Sequence, residues 1–151
     1  VLYALDTTPV KEGDTNFLKK VWWFDCVPPE YKKDKNGKAI KYPAAEGPSE
    51  VNATPVFYKN RVYVAVGQDP EHGEGVGRLV CVDPSKEGDV TKSALIWDYK
   101  GIKRSISTVS IDPANGLLFV ADFIRELYEF TSRALPKPVV DLCDCCDRIR
   151  L

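Results

Sequence analysis

The chain has 151 residues, of which 44% are hydrophobic and 28% are charged, and its formal net charge is -1. This composition is typical of a folded globular domain and excludes a disordered chain. Because basic and acidic residues balance, charge gives no indication of nucleic-acid binding. No apolar run approaches the roughly 20 residues that span a bilayer, and the given chain contains no signal-peptide pattern.

The predicted elements are all strands. Seven short segments are rich in β-branched and aromatic residues and bounded by Gly, Pro, Asn or Asp: 1–6, 20–25, 54–67, 77–83, 94–101, 107–122 and 126–130. The Tyr-Lys-Asn-Arg and Asp-Pro-Ala-Asn-Gly turns inside the third and sixth segments predict β-hairpins. No segment has the 3.6-residue apolar period of a helix, so the predicted class is all-β. Since the chain lacks methionine and begins at Val1 within a strand, we expect a segment of a longer protein.

These strands recur in a fixed order. The hairpin segment 54–67 aligns with 107–122, so that Val56 matches Val109. A strand of the Leu-x-x-Leu-Asp type recurs, with variations, at 2–6, 79–83 and 127–131, and a tryptophan-bearing strand follows twice, at 21–24 and 95–99. Four antiparallel strands repeating in this way predict the blades of a β-propeller, whose faces are covered by neighbouring blades.

The motifs "TPVFYKNRVYVAVG", "GQDPEHGEGVG" and "RSISTVSI" carry a family resemblance. Over about residues 1–122 the chain resembles bacterial propeller-repeat proteins of the pyrroloquinoline-quinone-like type, the group that includes the outer-membrane assembly lipoprotein BamB. The resemblance implies a partial propeller of about two and a half four-stranded antiparallel blades, with remnants at about 1–27, 51–101 and 105–135. It also implies an extracytoplasmic location, in the periplasm or cell envelope, and packing of Trp22, Trp23 and Trp97 against a neighbouring blade.

The family pattern ends after Asp122, and residues 136–151 are predicted to be an atypical Cys-rich tail outside the propeller segment 1–135. Pro136 and Pro138 are expected to interrupt any strand ladder there. Cys143 and Cys146 form a single CxxC, which is a weak zinc signal without further ligands. Cys26 and Cys81 lie in apolar segments predicted as strands and are expected to fill the core.

The glycine-rich stretch from Gly67 to Gly77 contains the chain's only histidine, His72. A phosphate-binding loop would lead from a strand into a helix, whereas this stretch leads into the strand "RLVCVD". We therefore expect a long loop joining two blade strands and exposing an interaction surface made of Gln68, Asp69, Glu71, His72 and Glu74. His72 with Glu71 and Glu74 is a weak metal candidate.

Two functions remain open. The first is a non-catalytic propeller segment that serves as a scaffold or protein-interaction module, completed by the rest of a parent propeller, by self-association or by a protein partner. No cofactor or catalytic residue is assigned to it. The alternative is part of a quinone-dependent oxidoreductase of the alcohol dehydrogenase type, holding pyrroloquinoline quinone and Ca²⁺. Arg104 and Asp122 are the nearest candidates for such ligands, although inter-blade hydrogen bonding is the expected role of both.

Overall fold

The computed structural model describes residues 1–40, 50–67, 76–122, 126–131 and 137–141, the last two segments by their backbone alone. A 3-10 turn covers Pro29–Lys32. Strands account for the rest of the regular structure: β1 Leu2–Glu12, β2 Thr15–Phe24, β3 Val56–Tyr58, β4 Arg61–Val66, β5 Arg78–Val82, β6 Gly88–Asp89, β7 Leu95–Tyr99, β8 Ser110–Asp112, β9 Leu117–Ala121, β10 Glu126–Thr131 and β11 Lys137–Asp141. The predicted all-β class is confirmed.

The strands form three sheets. In the first sheet β1 and β2 are an antiparallel hairpin, and the short β6 pairs with β2 in parallel. The middle sheet is an antiparallel meander in the order β3, β4, β5, β7, and the third sheet is a second meander in the order β8, β9, β10, β11. The strands of both four-stranded sheets follow chain order, as short connections favour, except that β6, between β5 and β7, pairs into the first sheet.

Both predicted hairpins are present. Lys59 and Asn60, between β3 and β4, have φ of 47° and 56°, the left-handed pair that a two-residue turn of type I′ requires. Between β8 and β9, Gly116 has φ of 68°, and the Asp112 carboxylate accepts the N–H of Ala114 at 2.9 Å. The turn residues thus set the register of the two hairpins.

The first hairpin is longer than the sequence predicted. The prediction ended the first strand at residue 6, but pairing continues from Pro9 opposite Leu18 to the end of β1. Asp6 accepts the N–H of Thr8 at 2.8 Å within a bulge, which in the sequence resembles the end of a strand. We call residues 9–18 the arm; its side chains are exposed on both faces of the hairpin.

The middle sheet forms the centre of the core. Every residue from Tyr63 to Val66 in β4 and from Leu79 to Val82 in β5 has 0% exposure. Successive side chains of a strand point to opposite faces, so both faces of these strands are covered. The same hydrophobic cluster includes residues of the other two sheets, so all three sheets contribute to one core: Leu2, Trp22, Phe24, Leu118 and Val120.

The third sheet shows that the prediction for Pro138 was wrong. Pro138 does not interrupt the ladder, because it lies inside β11 and β11 pairs with β10 from end to end. The sheet order places β11 at an edge, where a proline costs no hydrogen bond if its missing N–H would face outward. The register of the pairing also shifts after Leu127. Pro136, Cys143 and Cys146 lie outside the described residues.

The glycine-rich stretch joins two antiparallel neighbours, β4 and β5, as predicted from the strand that follows it. Its two ends need glycine for space. A Cβ at Gly67 would strike the backbone of Ser105, and a Cβ at Gly77 would strike the Lys103 carbonyl and lie 2.5 Å from that of Ile102. The connection 102–105 therefore packs directly on the backbone of both ends.

Replacing Gly77 tests this close approach. We expect Gly77→Ala to lower the free energy of unfolding by at least about 2 kcal/mol, because backbone atoms cannot move aside as a side chain can. Gly88→Ala is the matched control, since Gly88 has φ of 74° but nothing within 4 Å, and it should cost only about 1 kcal/mol. Urea unfolding measures both, and a larger loss for Gly88→Ala would contradict the packing argument.

Two cysteines fill the core as predicted. Cys26 and Cys81 are free thiols with 0% exposure. Cys81 lies in β5, whereas Cys26 lies in the segment after β2 and not in a strand. Burial raises the pKa of the Cys26 thiol to about 11, so the thiol is protonated and unreactive at neutral pH.

The raised pKa of Cys26 predicts a loss of stability in alkali. The folded thiol ionises at about 11 and the unfolded thiol near 9.0, so its stabilising contribution is complete below pH 9 and is lost as pH rises through 11. We expect a decline of about 2 to 3 kcal/mol from this group. In Cys26→Ala the slope between pH 9 and 11 should be flatter in urea unfolding; identical slopes would contradict the assignment.

Candidate functional site

A cleft of about 680 Å³ opens on the first sheet, between the hairpin of β1 and β2 and the connection 89–93. We call it the outer cleft, because it lies on the face of the sheet turned away from the buried Leu2, Trp22 and Phe24. Its lining mixes aromatic, cationic, acidic and hydroxyl side chains: Val1, Tyr3, Lys20, Trp23, Asp25, Asp89, Thr91, Lys92 and Ser93.

Two aromatic rings form the floor of the outer cleft. Tyr3 and Trp23 are cross-strand partners of β1 and β2, which places their side chains next to each other on one face. The ammonium of Lys20 lies 4.5 Å from the centroid of the Trp23 ring and 5.1 Å from that of the Tyr3 ring. Both rings therefore hold this cation by attraction to their faces.

The two carboxylates of the outer cleft already have partners within the chain. Asp89 accepts the N–H of Thr91 at 3.0 Å. Hydrogen bonds from Thr91, with a smaller contribution from Trp23, lower the pKa of Asp89 below its ordinary value. Asp25 forms an ion pair with Lys32 and accepts the N–H of Val27 at 3.2 Å.

The two lysines that line the outer cleft, Lys20 and Lys92, differ from its carboxylates in their ion pairing. Three ion pairs occur in the described part of the chain, and neither Lys20 nor Lys92 takes part in them. Lys92 contributes only a longer-range attraction that helps lower the pKa of Asp89. The outer cleft therefore presents two lysine charges that no ion pair among the described residues neutralises. Its two carboxylates, in contrast, already have partners within the chain.

A smaller cavity of about 210 Å³ adjoins the outer cleft and shares Asp25 and Thr91 with it. Arg78 lines this cavity with a side chain only 7% exposed. Its Nε donates to the Asp98 carboxylate at 2.8 Å, and its Nη1 donates to the Cys26 carbonyl at 2.9 Å. The guanidinium thus ties the middle sheet to the segment that follows β2, which positions Asp25.

The predicted tryptophans occupy three different settings. Trp22 is buried, and its Nε1 donates to the Pro84 carbonyl at 3.1 Å, across to the segment after β5. Trp23 lies on the opposite face and lines the outer cleft. Trp97 in β7 is partly buried, with its ring centroid 6.0 Å from that of Tyr63. Only Trp22 and Trp97 therefore belong to the packed interior.

Of the other predicted site residues, Arg104 and Asp122 lie within the described ranges. Asp122 is buried and accepts the N–H of Lys103 at 3.2 Å, which anchors the connection before β8. Arg104 lies in that connection. The predicted interaction loop and weak metal candidates lie outside the described residues: Gln68, Asp69, Glu71, His72, Glu74, Cys143 and Cys146.

Sequence reasoning missed the outer cleft. The alternation of Leu2, Tyr3 and Ala4 opposite Phe24, Trp23 and Trp22 was a signal, because it puts two aromatic residues on the face away from the core. The other wall could not have been found in this way. It depends on β6, a two-residue strand whose Asp89 pairs with Trp23 across 66 positions of the chain.

No family model, curated protein or solved structure matches this chain. Within the described ranges, no helix is long and apolar enough to cross a membrane. Nor do these ranges place three or more His, Cys, Asp or Glu side chains so that they could hold a metal ion. The family resemblance found in the sequence therefore stays a prediction.

Removing the Thr91 hydroxyl tests how the wall of the outer cleft is held. Its Oγ1 accepts the N–H of Asp25 at 3.1 Å, and the hydroxyl also lowers the pKa of Asp89. We expect Thr91→Val to cost about 1 kcal/mol in urea unfolding and to raise the pKa of Asp89 toward its ordinary value, as followed by NMR. Thr91→Ser keeps the hydroxyl and should restore both; an unchanged Asp89 pKa in Thr91→Val would refute the contact.

Proposed function

We propose that this chain is a segment of a β-propeller of the pyrroloquinoline-quinone-like repeat type, and that it serves as a non-catalytic scaffold for protein interaction. The observation that carries the proposal is the succession of two four-stranded antiparallel meanders, each in chain order, packed with a third sheet. Blades of a propeller are sheets of this kind, and each is covered by its neighbours.

The internal repeat supports the same proposal. The two segments that align in sequence form equivalent hairpins, β3 with β4 and β8 with β9. Each hairpin begins its meander, with the first strand at the sheet edge in both cases. In the first sheet, β1 and β2 correspond to the last two strands of a four-stranded meander. The first sheet would then be a blade that is only partly contained in this chain.

Exposed apolar side chains favour an interaction role. The central strands β4 and β5 of the middle sheet are covered, and its edge strands expose only Phe57, Leu95 and Ile96, whereas the first sheet exposes a larger set: Tyr3 at 51%, Leu5 at 49%, Val10 at 41%, Phe17 at 38% and Leu18 at 45%. Such a concentration on one sheet is typical of a surface that another protein, or another part of the same protein, covers. The extracytoplasmic location belongs to the proposal through the family resemblance alone.

Native mass spectrometry at micromolar concentration tests the proposal. We expect a multiple of the chain or a complex with a longer partner, because an incomplete ring leaves its terminal blade uncovered. The double variant Phe17→Ser with Leu18→Ser should raise the dissociation constant of that association at least about tenfold, since each exposed side chain buries apolar area on binding. Asn16→Ser with Lys19→Ser is the matched control on the same hairpin and should leave association unchanged.

Two results would overturn the proposal. A monodisperse monomer that unfolds in a single cooperative step would show that the three sheets are complete by themselves. A retained mass equal to pyrroloquinoline quinone with calcium would replace the scaffold by the oxidoreductase alternative, which otherwise stays a prediction without assigned ligands.

A further inference from the structure

The charges of the outer cleft determine which ligand it can hold. Asp25 is neutralised by Lys32, and Asp89 is engaged by hydrogen bonds from Thr91 and Trp23. Lys20 and Lys92 have no ion pair among the described residues. A ligand that brings carboxylates can therefore pair with these two ammonium groups, and it does not have to break an existing pair to do so.

The aromatic floor adds an apolar component. Half of Tyr3 is exposed, and Trp23 lies beside it. Because the Lys20 ammonium lies over both rings, a carboxylate that reaches Lys20 brings its neighbouring apolar groups against the ring edges. The lining thus suits a chain in which acidic and apolar side chains alternate closely.

The same contacts disfavour a neutral saccharide. A sugar ring would stack on the faces of Tyr3 and Trp23, but these faces are covered by Lys20. Carboxylates commonly accept hydrogen bonds from sugar hydroxyls, and Asp25 and Asp89 already accept hydrogen bonds from within the chain, which leaves fewer lone pairs for a sugar. The carboxylate side chains of a peptide need neither an uncovered ring face nor a carboxylate acceptor.

We infer that the outer cleft binds a short acidic segment of a partner protein, held by Lys20 and Lys92 and packed against Tyr3 and Trp23. This inference rests on the proposed scaffold function and names the chemistry of the partner. Electrostatic complementarity of this kind sets the choice of partner and the rate of association more than it sets affinity, so the segment is expected to be a recognition element within a larger interface.

The test uses the full chain, labelled with ¹⁵N, and a capped pentapeptide with one phenylalanine between two pairs of glutamates. At low salt we expect amide shifts to change for residues of the outer cleft. The same peptide with glutamines in place of glutamates should bind at least about fivefold more weakly, and added salt should weaken binding of the acidic peptide.

Matched variants assign the effect to the two lysines. Lys20→Gln with Lys92→Gln should weaken binding of the acidic peptide at least about fivefold. Lys35→Gln with Lys38→Gln changes the net charge equally at two exposed residues that do not line the cleft, and should leave binding unchanged. Equal binding of the two peptides, equal effects of the two double variants, or binding of oligogalacturonate in place of the peptide would overturn the inference.

Native mass spectra of the same samples separate the two proposals. A chain that still associates but does not bind the acidic peptide overturns the assignment of the outer cleft alone. A monodisperse, cooperatively unfolding monomer that binds the peptide through Lys20 and Lys92 overturns the propeller segment and leaves the cleft as a peptide site on a different scaffold.

Discussion

Burial of both faces of β4 and β5 is the constraint on which the rest of the structure depends. The segments Tyr63–Val66 and Leu79–Val82 have no exposure to solvent, and each fully buried large side chain contributes about 1.5 to 3 kcal/mol. A single sheet cannot provide that burial, so other parts of the chain must cover it on each side. The close approach of the 102–105 connection to Gly67 and Gly77 follows from the same requirement.

Arg78 connects this core to the outer cleft. Transferring a guanidinium into a nearly dry site costs several kcal/mol, so its bonds to Asp98 and to the Cys26 carbonyl act more to fix geometry than to add stability. They hold the segment after β2, where Asp25, paired with Lys32, lines the cleft. The position of the surface site is thus determined from inside the protein.

The sequence was informative where structure is local. The turn residues Lys59, Asn60 and Gly116 predicted the hairpins, and the recurring strand order predicted the equivalence of β3–β4 and β8–β9. It was misleading at Asp6, where a bulge looked like a strand end, and at Pro138, because a pattern does not reveal which strand will be at an edge. The cleft itself could be predicted only for Tyr3 and Trp23. Its other wall, with Asp89, Thr91 and Lys92, reaches the sheet through a parallel contact between distant segments that no local pattern encodes.

The bulge in the first hairpin separates the arm from the packed part of the molecule. Between Leu5 and Pro9 the register changes, so the residues beyond it take no part in the pairing that holds Tyr3, Trp22 and Phe24 in place. The closure entropy of a loop grows only slowly with its length. The tip at Gly13, where the chain turns with nothing within 4 Å of the missing side chain, is consequently a point at which this protein can gain or lose residues, or carry an inserted tag, while the core stays unaffected.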